Sequence, residues 1–344
     1  MRLLVFTQIM DKNDPFLGFF HHWVTEFSKK FESILVVALK VGEHDLPGNV
    51  RVLSLGKESG ESRIKYVKNF FAHIFRERKS YDSVFVHMNQ EYVLLGGLVW
   101  KLLGKKVYLW RNHHAGSIAT DIAAAFCDHV FCPSRYSYTA KYAKTIFMSV
   151  GIDTEIFKRN TAIARETGSI LFLSRIAPVK KPHILLEALG ILKSKGIAFR
   201  ASLYGNPLPK DVAYLESLKQ KAGELGIAEH VAFYKGIPHR ETIDIYNAHE
   251  IFVNLSSSGM YDKTIFEAMA CETLTLASNK NLQGLINSAF IFEEDNVQEL
   301  ASKLERTLVA HEEEKNMARH SMRRIVVEKH SLGELSSKLA DIIR

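Results

Sequence analysis

Residues 254–272 read NLSSSGMYDKTIFEAMACE, and the rest of the chain is organised around them. The stretch begins as the tail of an apolar strand, residues 250–255 (EIFVNL). It turns through Ser256, Ser257, Ser258 and Gly259, then enters a helix that carries Glu267. A strand that ends in small residues and opens a helix leaves unpaired backbone N–H groups and the positive end of a helix dipole facing one point, which suits a phosphate or diphosphate. Glu267 is expected about two turns into that helix, roughly 10 Å along it at 1.5 Å per residue. A carboxylate there can take a ribose hydroxyl pair. An ordinary strand–turn–helix with a surface glutamate reads the same way.

The totals narrow the class. A chain of 344 residues is long enough for two domains, each with its own core. Hydrophobic content of 47% with 24% charged residues describes a globular protein rather than a disordered or membrane-spanning one. The longest apolar run, YVLLGGLVW at 92–100, is too short to span a bilayer. The opening MRLLVFTQIM reads as a first strand and lacks the apolar core and cleavage site of a signal peptide. Cys127, Cys132 and Cys271 are odd in number and scattered, which indicates a reducing compartment and no structural zinc. The net charge of +7 is uneven: residues 1–165 hold 23 basic against 15 acidic residues, and the remainder holds 22 against 23. All of the excess lies in the first half.

Strand-like and helix-like segments alternate. Strands are expected at 3–8, 34–39, 50–55, 83–87, 106–111 and 129–133, with helical periodicity between them at 18–31 and 63–79. After a polar join at 158–168 (KRNTAIARETG) the alternation restarts, with strands at 170–174, 199–204, 230–234, 251–255, 274–277 and 289–292. Helices are expected near 182–195, 211–225, 240–247, 264–271 and 297–308. The pattern predicts an α/β protein of two doubly wound, parallel-sheet domains, with ligands at the carboxyl ends of the strands.

Further stretches carry candidate chemistry. In LSRIAPVKKP (173–182), Arg175 and Lys180 follow a strand and flank a Pro-containing turn; a planar fork of donors and a compact charge can together neutralise a diphosphate, or both are solvated surface cations. YGNP (204–207) and YKGIP (234–238) put glycine just after a strand, so Gly205 permits a turn or a close approach, and the backbone beside Ile237 can meet a nucleobase edge. VYLWRNHHAGS (107–117) ends a strand in Arg111, Asn112, His113 and His114; a histidine there can donate to a sugar hydroxyl or a developing charge, or be a plain loop residue. Metal binding by the two histidines is not expected, because neighbours in a strand point to opposite faces. DPFLGFFHHW (14–23) sets Gly18 at a turn that can admit an acceptor or the donor phosphate. Residues 63–79 (RIKYVKNFFAHIFRERK) form a basic, aromatic helix that can rest on an anionic membrane, or whose aromatics are core and whose charges are solvated. No nucleic-acid-binding motif accompanies it.

Taken in order, SRIAPVKKP with HILLEAL, YGNP, VAFYKGIP, IYNAHEIFVNLS and FEAMACETLTLASN resemble glycosyltransferase family 4 of the glycosyl transferases group 1. DHVFCPS…SVGIDTEIF is similar to that family's inter-domain passage. The resemblance covers nearly the whole chain and is strongest over 170–280. It implies a GT-B fold of two Rossmann-like domains facing a central cleft: an acceptor-binding domain at 1–160, onto which a helix at 331–344 packs back, and a nucleotide-sugar-binding domain at 168–330. It also implies retaining, metal-independent hexosyl transfer from a UDP- or GDP-linked sugar, with no cofactor, to a glycan or lipid-linked acceptor in cell-envelope polysaccharide or glycolipid synthesis. The location implied is cytoplasmic and peripheral to the inner face of the cell membrane. Arg175 and Lys180 would bind the diphosphate, Glu267 the ribose and His113 the donor sugar. Ser258, Gly259, Met260, Tyr261, Asp262 and Lys263 would cradle sugar and phosphate. Asn112, His114, Gly18, Gly205 and Ile237 would complete the substrate contacts.

Two positions depart from the family pattern. Gly259 stands where a first glutamate is usual, with Asp262 as a substitute grip and Lys263 as an added phosphate cation. Glu272 stands where glycine is usual and is expected to narrow the pocket. A non-catalytic nucleotide-sugar-binding module and a GT-B epimerase are the alternatives.

Overall fold

Near-continuous apolar runs such as RLLVFTQIM are what a strand buried on both faces requires, and that run forms β1 (Arg2–Met10). The computed structural model describes residues 1–14 and 17–343. Pro15, part of the turn expected before Gly18, lies outside the described residues, as does Arg344, the end of the helix expected at 331–344. The chain divides into two compact units, Met1–Gly151 with the segment from Leu332 onward, and Ile152–Ser331. The sequence reading put the corresponding limits at 160, 168 and 330.

In the first unit, β1 is followed by α1 (Phe19–Ser28), β2 (Ser33–Val41), β3 (Val50–Ser54), α2 (Arg63–Arg76) and β4 (Ser83–His87). Then come α3 (Gln90–Leu102), β5 (Lys106–Trp110), α4 (Ile118–Phe126), β6 (His129–Cys132) and β7 (Thr145–Phe147). All pairings are parallel, in the order β3-β2-β1-β4-β5-β6-β7. The edge strand β7 has only three residues, too few for an alternation to show in the sequence. One sheet face packs Trp23, Phe27 and Phe85. The other packs Phe70, Ile74, Tyr92 and Trp100 beneath α2, α3 and α4. The basic helix α2 thus turns Phe70 and Ile74 inward, with Tyr66 and Phe71 partly buried against the same core, while Ile64, Val67 and Phe75 are exposed.

The second unit runs β8 (Glu166–Leu173), α5 (Pro182–Ser194), β9 (Arg200–Tyr204), α6 (Val212–Glu224), β10 (Val231–Tyr234) and α7 (Thr242–Ala248). It continues with β11 (His249–Asn254), α8 (Lys263–Ala270), β12 (Leu274–Ala277), α9 (Val297–Val309) and α10 (Glu312–Lys329). Its parallel sheet is ordered β10-β9-β8-β11-β12. The strand expected at 289–292 is instead a short 3-10 turn, Ser288–Phe290, and a single bridge from Ile291 to Ala277. Asn287 caps that turn by accepting from Ala289 N–H, and the local bond diverts the backbone from the ladder.

The last helix, α11 (Leu332–Ile343), belongs to the first unit, where Leu335, Leu339 and Ile343 enter the core beside Trp23 and Phe27. Spacing of i, i+4, i+8 puts them on one face. Leu335 is fully buried. Leu335→Ala is expected to destabilise the protein by about 2–5 kcal/mol, read as a lower urea midpoint; an unchanged midpoint would show that the helix does not hold the first unit together.

Candidate functional site

Because the second sheet is wholly parallel, the loops after its strands leave from one edge. These are 174–181 after β8, 205–211 after β9, 235–241 after β10 and 255–262 after β11. Of the second-unit residues expected from sequence to contact the ligand, all but Lys263 and Glu267 lie in those loops, and these two lie on the helix that the last loop opens. β8 and β11 are direct neighbours, so the cationic loop and the serine-rich loop start side by side.

Lys180 joins them. Its Nζ donates to Asp262 Oδ2 at 2.7 Å and to Ser256 Oγ at 2.9 Å, and Ser256 Oγ donates to the same carboxylate oxygen at 2.9 Å. Asp262 is also the N-cap of α8, accepting through Oδ1 from Thr264 N–H at 3.4 Å and Thr264 Oγ1 at 3.1 Å. Both oxygens are therefore engaged within the loop, and in place of an open sugar grip the residue acts as helix cap and cation clamp. Burial pushes its carboxyl up, but the charge of Lys180 and the hydrogen bonds from Lys180, Ser256 and Thr264 outweigh burial and hold it well below the usual carboxylate range.

Because α8 begins only after this cap, Glu267 is a little over one turn into the helix rather than two. It is 4% exposed. His239 Nε2 lies 2.9 Å from its Oε1, and Tyr246 donates its hydroxyl to Oε2 at 3.2 Å. His239 follows Ile237 by two residues, so this contact brings the segment expected to meet a nucleobase to the helix expected to meet the ribose. Burial, then the neighbouring Glu267, pushes the Tyr246 hydroxyl well up, so it stays a donor at neutral pH. Sequence reasoning missed His239 and Tyr246. Neither the proline before His239 nor the helical spacing of Tyr246 reports a carboxylate that comes from 28 and 21 residues away. Lys263, the first residue of α8, is brought down by burial from 10.5 to about 7, with Glu267 and Asp262 opposing the shift.

Arg175 is half-buried, and its Nε is buried with no hydrogen-bond partner. Gly205 stands where an added Cβ would lie 1.9 Å from the Ser174 carbonyl oxygen. The glycine thus lets two strand ends approach each other and fixes the backbone next to Arg175. The 255–262 loop is braced from behind. Ser258 donates through both N–H and Oγ to Glu294 at 3.0 Å, Asn281 Nδ2 donates to Ser258 O at 2.7 Å and Asn279 Nδ2 to Met260 O at 2.8 Å. Tyr261 is buried and donates to Asn281 O, so it serves as an anchor, while Gly259 is buried beside it. Glu272 is at the other end of α8, in a left-handed backbone conformation (φ 58°), with its carbonyl accepting from Arg165. It closes the helix at the amino edge of the sheet and does not narrow the ligand edge.

In the first unit, Asn112, His113 and His114 follow β5 in a loop rather than continuing the strand. Their alternation is therefore lost, and the two rings stack at 4.5 Å and 22° instead of pointing to opposite faces. Ala115 N–H donates to His113 Nδ1 at 3.0 Å. The Ala115 carbonyl oxygen lies 3.2 Å from the same Nδ1, so this ring atom has both a donor and an acceptor within reach. Burial lowers its pKa, and His114 and Arg111 add to the lowering. Ser137 and Tyr138 N–H hold its backbone carbonyl. Gly18 opens α1, where a Cβ would meet the Asp14 carbonyl oxygen at 2.6 Å, so the turn itself requires glycine.

The family model "Glycosyl transferases group 1" matches residues 153–324. The D-inositol 3-phosphate glycosyltransferase of Thermomonospora curvata is 30% identical over 125 residues, covering 35% of this chain and 29% of that protein. The Rhodococcus jostii enzyme of the same name is 32% identical over 117 residues, covering 33% and 26%. The matches thus span about a quarter to a third of the curated relatives' length. Among solved structures, HepE of Anabaena, in complex with UDP and glucose, shares the fold with TM-score 0.79 at 18% identity, covering 100% of this chain and 99% of that one. Sucrose-phosphate synthase of Thermosynechococcus elongatus has TM-score 0.79 at 14% identity over 99% and 98% of the two chains.

Replacing Asp262 by Asn keeps the shape and removes the charge facing Lys180. A buried pair broken on one side costs about 3–5 kcal/mol, so Asp262→Asn is expected to lower the melting temperature at pH 7. Because the folded-state pKa lies below the unfolded value near 3.9, the wild type's advantage is full above that value and declines as pH falls towards the folded pKa. A melting-temperature difference that does not shrink in acid would contradict the clamp.

Proposed function

The chain belongs to the glycosyl transferases group 1, and we propose that it moves a hexose from a UDP- or GDP-linked donor to a glycan or lipid-linked acceptor, with retention at the anomeric carbon. The observation that carries the reading is the arrangement of α8. A lysine from the neighbouring strand's loop is held at its N-terminus by Asp262 and Ser256, and a buried carboxylate follows just over one turn later. An ammonium and a helix N-terminus suit a diphosphate, and Glu267, already accepting from His239 and Tyr246, has lone pairs left for ribose hydroxyls.

In the proposed step the bond from the anomeric carbon to the diphosphate oxygen breaks, and the electron pair leaves with the nucleoside diphosphate. The acceptor oxygen bonds to the same face, and its proton passes to the departing phosphate oxygen. Arg175, Lys180 and Lys263 stabilise the charge that develops on that oxygen. His113 is the residue that the family resemblance assigns to the donor sugar. Asp262 acts through Lys180 as a positioning residue. Ser258, Gly259 and Met260 supply backbone beside the sugar, and Ile237 meets the base. No resident metal or cofactor is needed in this reading, and EDTA is expected to leave turnover unchanged. The setting proposed is cytoplasmic, peripheral to the inner membrane face, in cell-envelope polysaccharide or glycolipid synthesis; no helix of the described residues is long and apolar enough to cross a membrane. A binding module without turnover is the second reading, motivated by Gly259 and by the engagement of both Asp262 oxygens.

Binding separates these readings from their failure. Glu267→Gln removes charge-assisted bonds worth about 1.5–3 kcal/mol, so the Kd for UDP or GDP, by calorimetry, is expected to rise roughly 10- to 150-fold. Equal affinity would remove the ribose role. Acceptor-dependent release of nucleoside diphosphate supports the transferase; donor binding without release supports the module.

A phosphate favours the charged form of Lys263, which is lost as pH rises through about 7. Nucleotide affinity is expected to weaken from pH 6 to pH 8, and Lys263→Met to flatten that dependence. A slope that survives the substitution would exclude Lys263 from phosphate binding.

A further inference from the structure

Nine of the nineteen large hydrophobic side chains exposed on the described residues lie on α2, α3 and α4, the three helices that cover one face of the first sheet. α3 supplies the centre. Tyr92, Val93, Gly96, Gly97 and Trp100 face the core, and Leu94, Leu95, Leu98 and Leu102 face outward. At spacings of 1, 4 and 8 from Leu94, the leucines form one outward stripe. Leu98 is 59% and Leu102 79% exposed. α4 packs against α3 and adds Ile118, 78% exposed, with Ile122 one turn on. α2 meets α3 through Phe70 against Tyr92 and Trp100, and it exposes Ile64 (82%) and Phe75. Nine exposed large apolar side chains on the helices of one sheet face mark an interaction surface.

Its charges select the occupant. α2 has no carboxylate, and Arg63, Lys65, Lys68 and Arg76 are exposed and form no ion pair among the described residues. Of the carboxylates around these helices, Glu77 is paired with Arg51, Asp82 with Arg2, Asp121 with Lys141 and Asp128 with Lys101, and the exposed Glu58, Glu61 and Glu91 are outnumbered by Arg63, Lys65, Lys68, Arg76, Arg78 and Lys79. A second copy of this face would set cations against cations. An anionic bilayer would take the cations at its headgroups and the leucines below them.

We infer that the outer faces of α2, α3 and α4 form a docking surface for a membrane containing anionic lipid, with the α3 leucine stripe inserted and the α2 cations at the headgroups. The inference deepens the membrane part of the function proposed above and rests on it. It assigns insertion to α3, which the sequence showed only as an apolar run.

The test is flotation of the full chain with phosphatidylcholine vesicles, with and without phosphatidylglycerol, alongside a thermal shift with UDP. Wild type is expected to float with the anionic vesicles at low salt and to lose binding as salt rises. Leu98→Glu/Leu102→Glu, which touches no site residue, is expected to lower vesicle binding about tenfold or more while leaving the UDP shift unchanged. Lys65→Glu/Lys68→Glu is expected to abolish the preference for phosphatidylglycerol. Equal flotation of the leucine variant, or no flotation of wild type, overturns the inference. So does a wild-type dimer in light scattering that the leucine variant dissociates without any vesicle binding. A missing UDP shift with intact flotation would instead count against the donor reading and leave the docking surface standing.

Discussion

Lys180 and Asp262 meet at 2.7 Å across the gap between two loops that the sheet alone would leave independent. Their side chains are about four-fifths buried, so much of the hydration of each charge is lost, and the contact is favourable only because further bonds complete it. Ser256 serves both partners and Thr264 serves the carboxylate. The same contact fixes where α8 starts, and so how far along it Glu267 sits. The lysine is thus kept in place by an anion that also caps the helix whose N-terminus faces the same edge.

Much of this was legible beforehand, for identifiable reasons. Strands such as β1 and β11 carry unbroken apolar runs, residues 3–6 and 251–253, because both faces are covered, and the small-residue turn at 256–259 stood out against them. Arg175, Lys180 and Glu267 could be singled out because strand–loop–helix order predicts an edge, and a parallel sheet brings its edges together. The partners of those residues were not legible. His239 reaches Glu267 because the loop after β10 leads into α7 beside α8, and no local period encodes that path. Asp262 looked like a free carboxylate, since nothing in sequence shows that its oxygens are spent on Lys180 and on the cap. His113 and His114 were read with strand geometry although β5 ends at Trp110, and the loop that begins at Arg111 stacks their rings.

The two departures from the family pattern turn out to be of different kinds. Gly259 lies within the braced loop at the carboxyl edge of the sheet. Glu272 lies at the opposite end of α8, where a left-handed residue must end the helix. A glutamate is less suited to that conformation than glycine, by roughly 1 kcal/mol. Its carbonyl is secured by Arg165 and its side chain lies 3.5 Å from His320. The strain is local to the helix end and leaves the chemistry untouched.

The chain enters the second unit at Ile152 and leaves it at Ser331, and these two residues form a parallel bridge with each other. The unit's two ends are thus neighbours in space, and both flanking segments belong to one core. Such a module has the topology of an insert: it can be lifted out or exchanged as one piece while the host's own hydrophobic centre keeps all its strands. Chimaeras that swap residues 152–331 for the equivalent part of a relative would then need only two crossover points, adjacent in space.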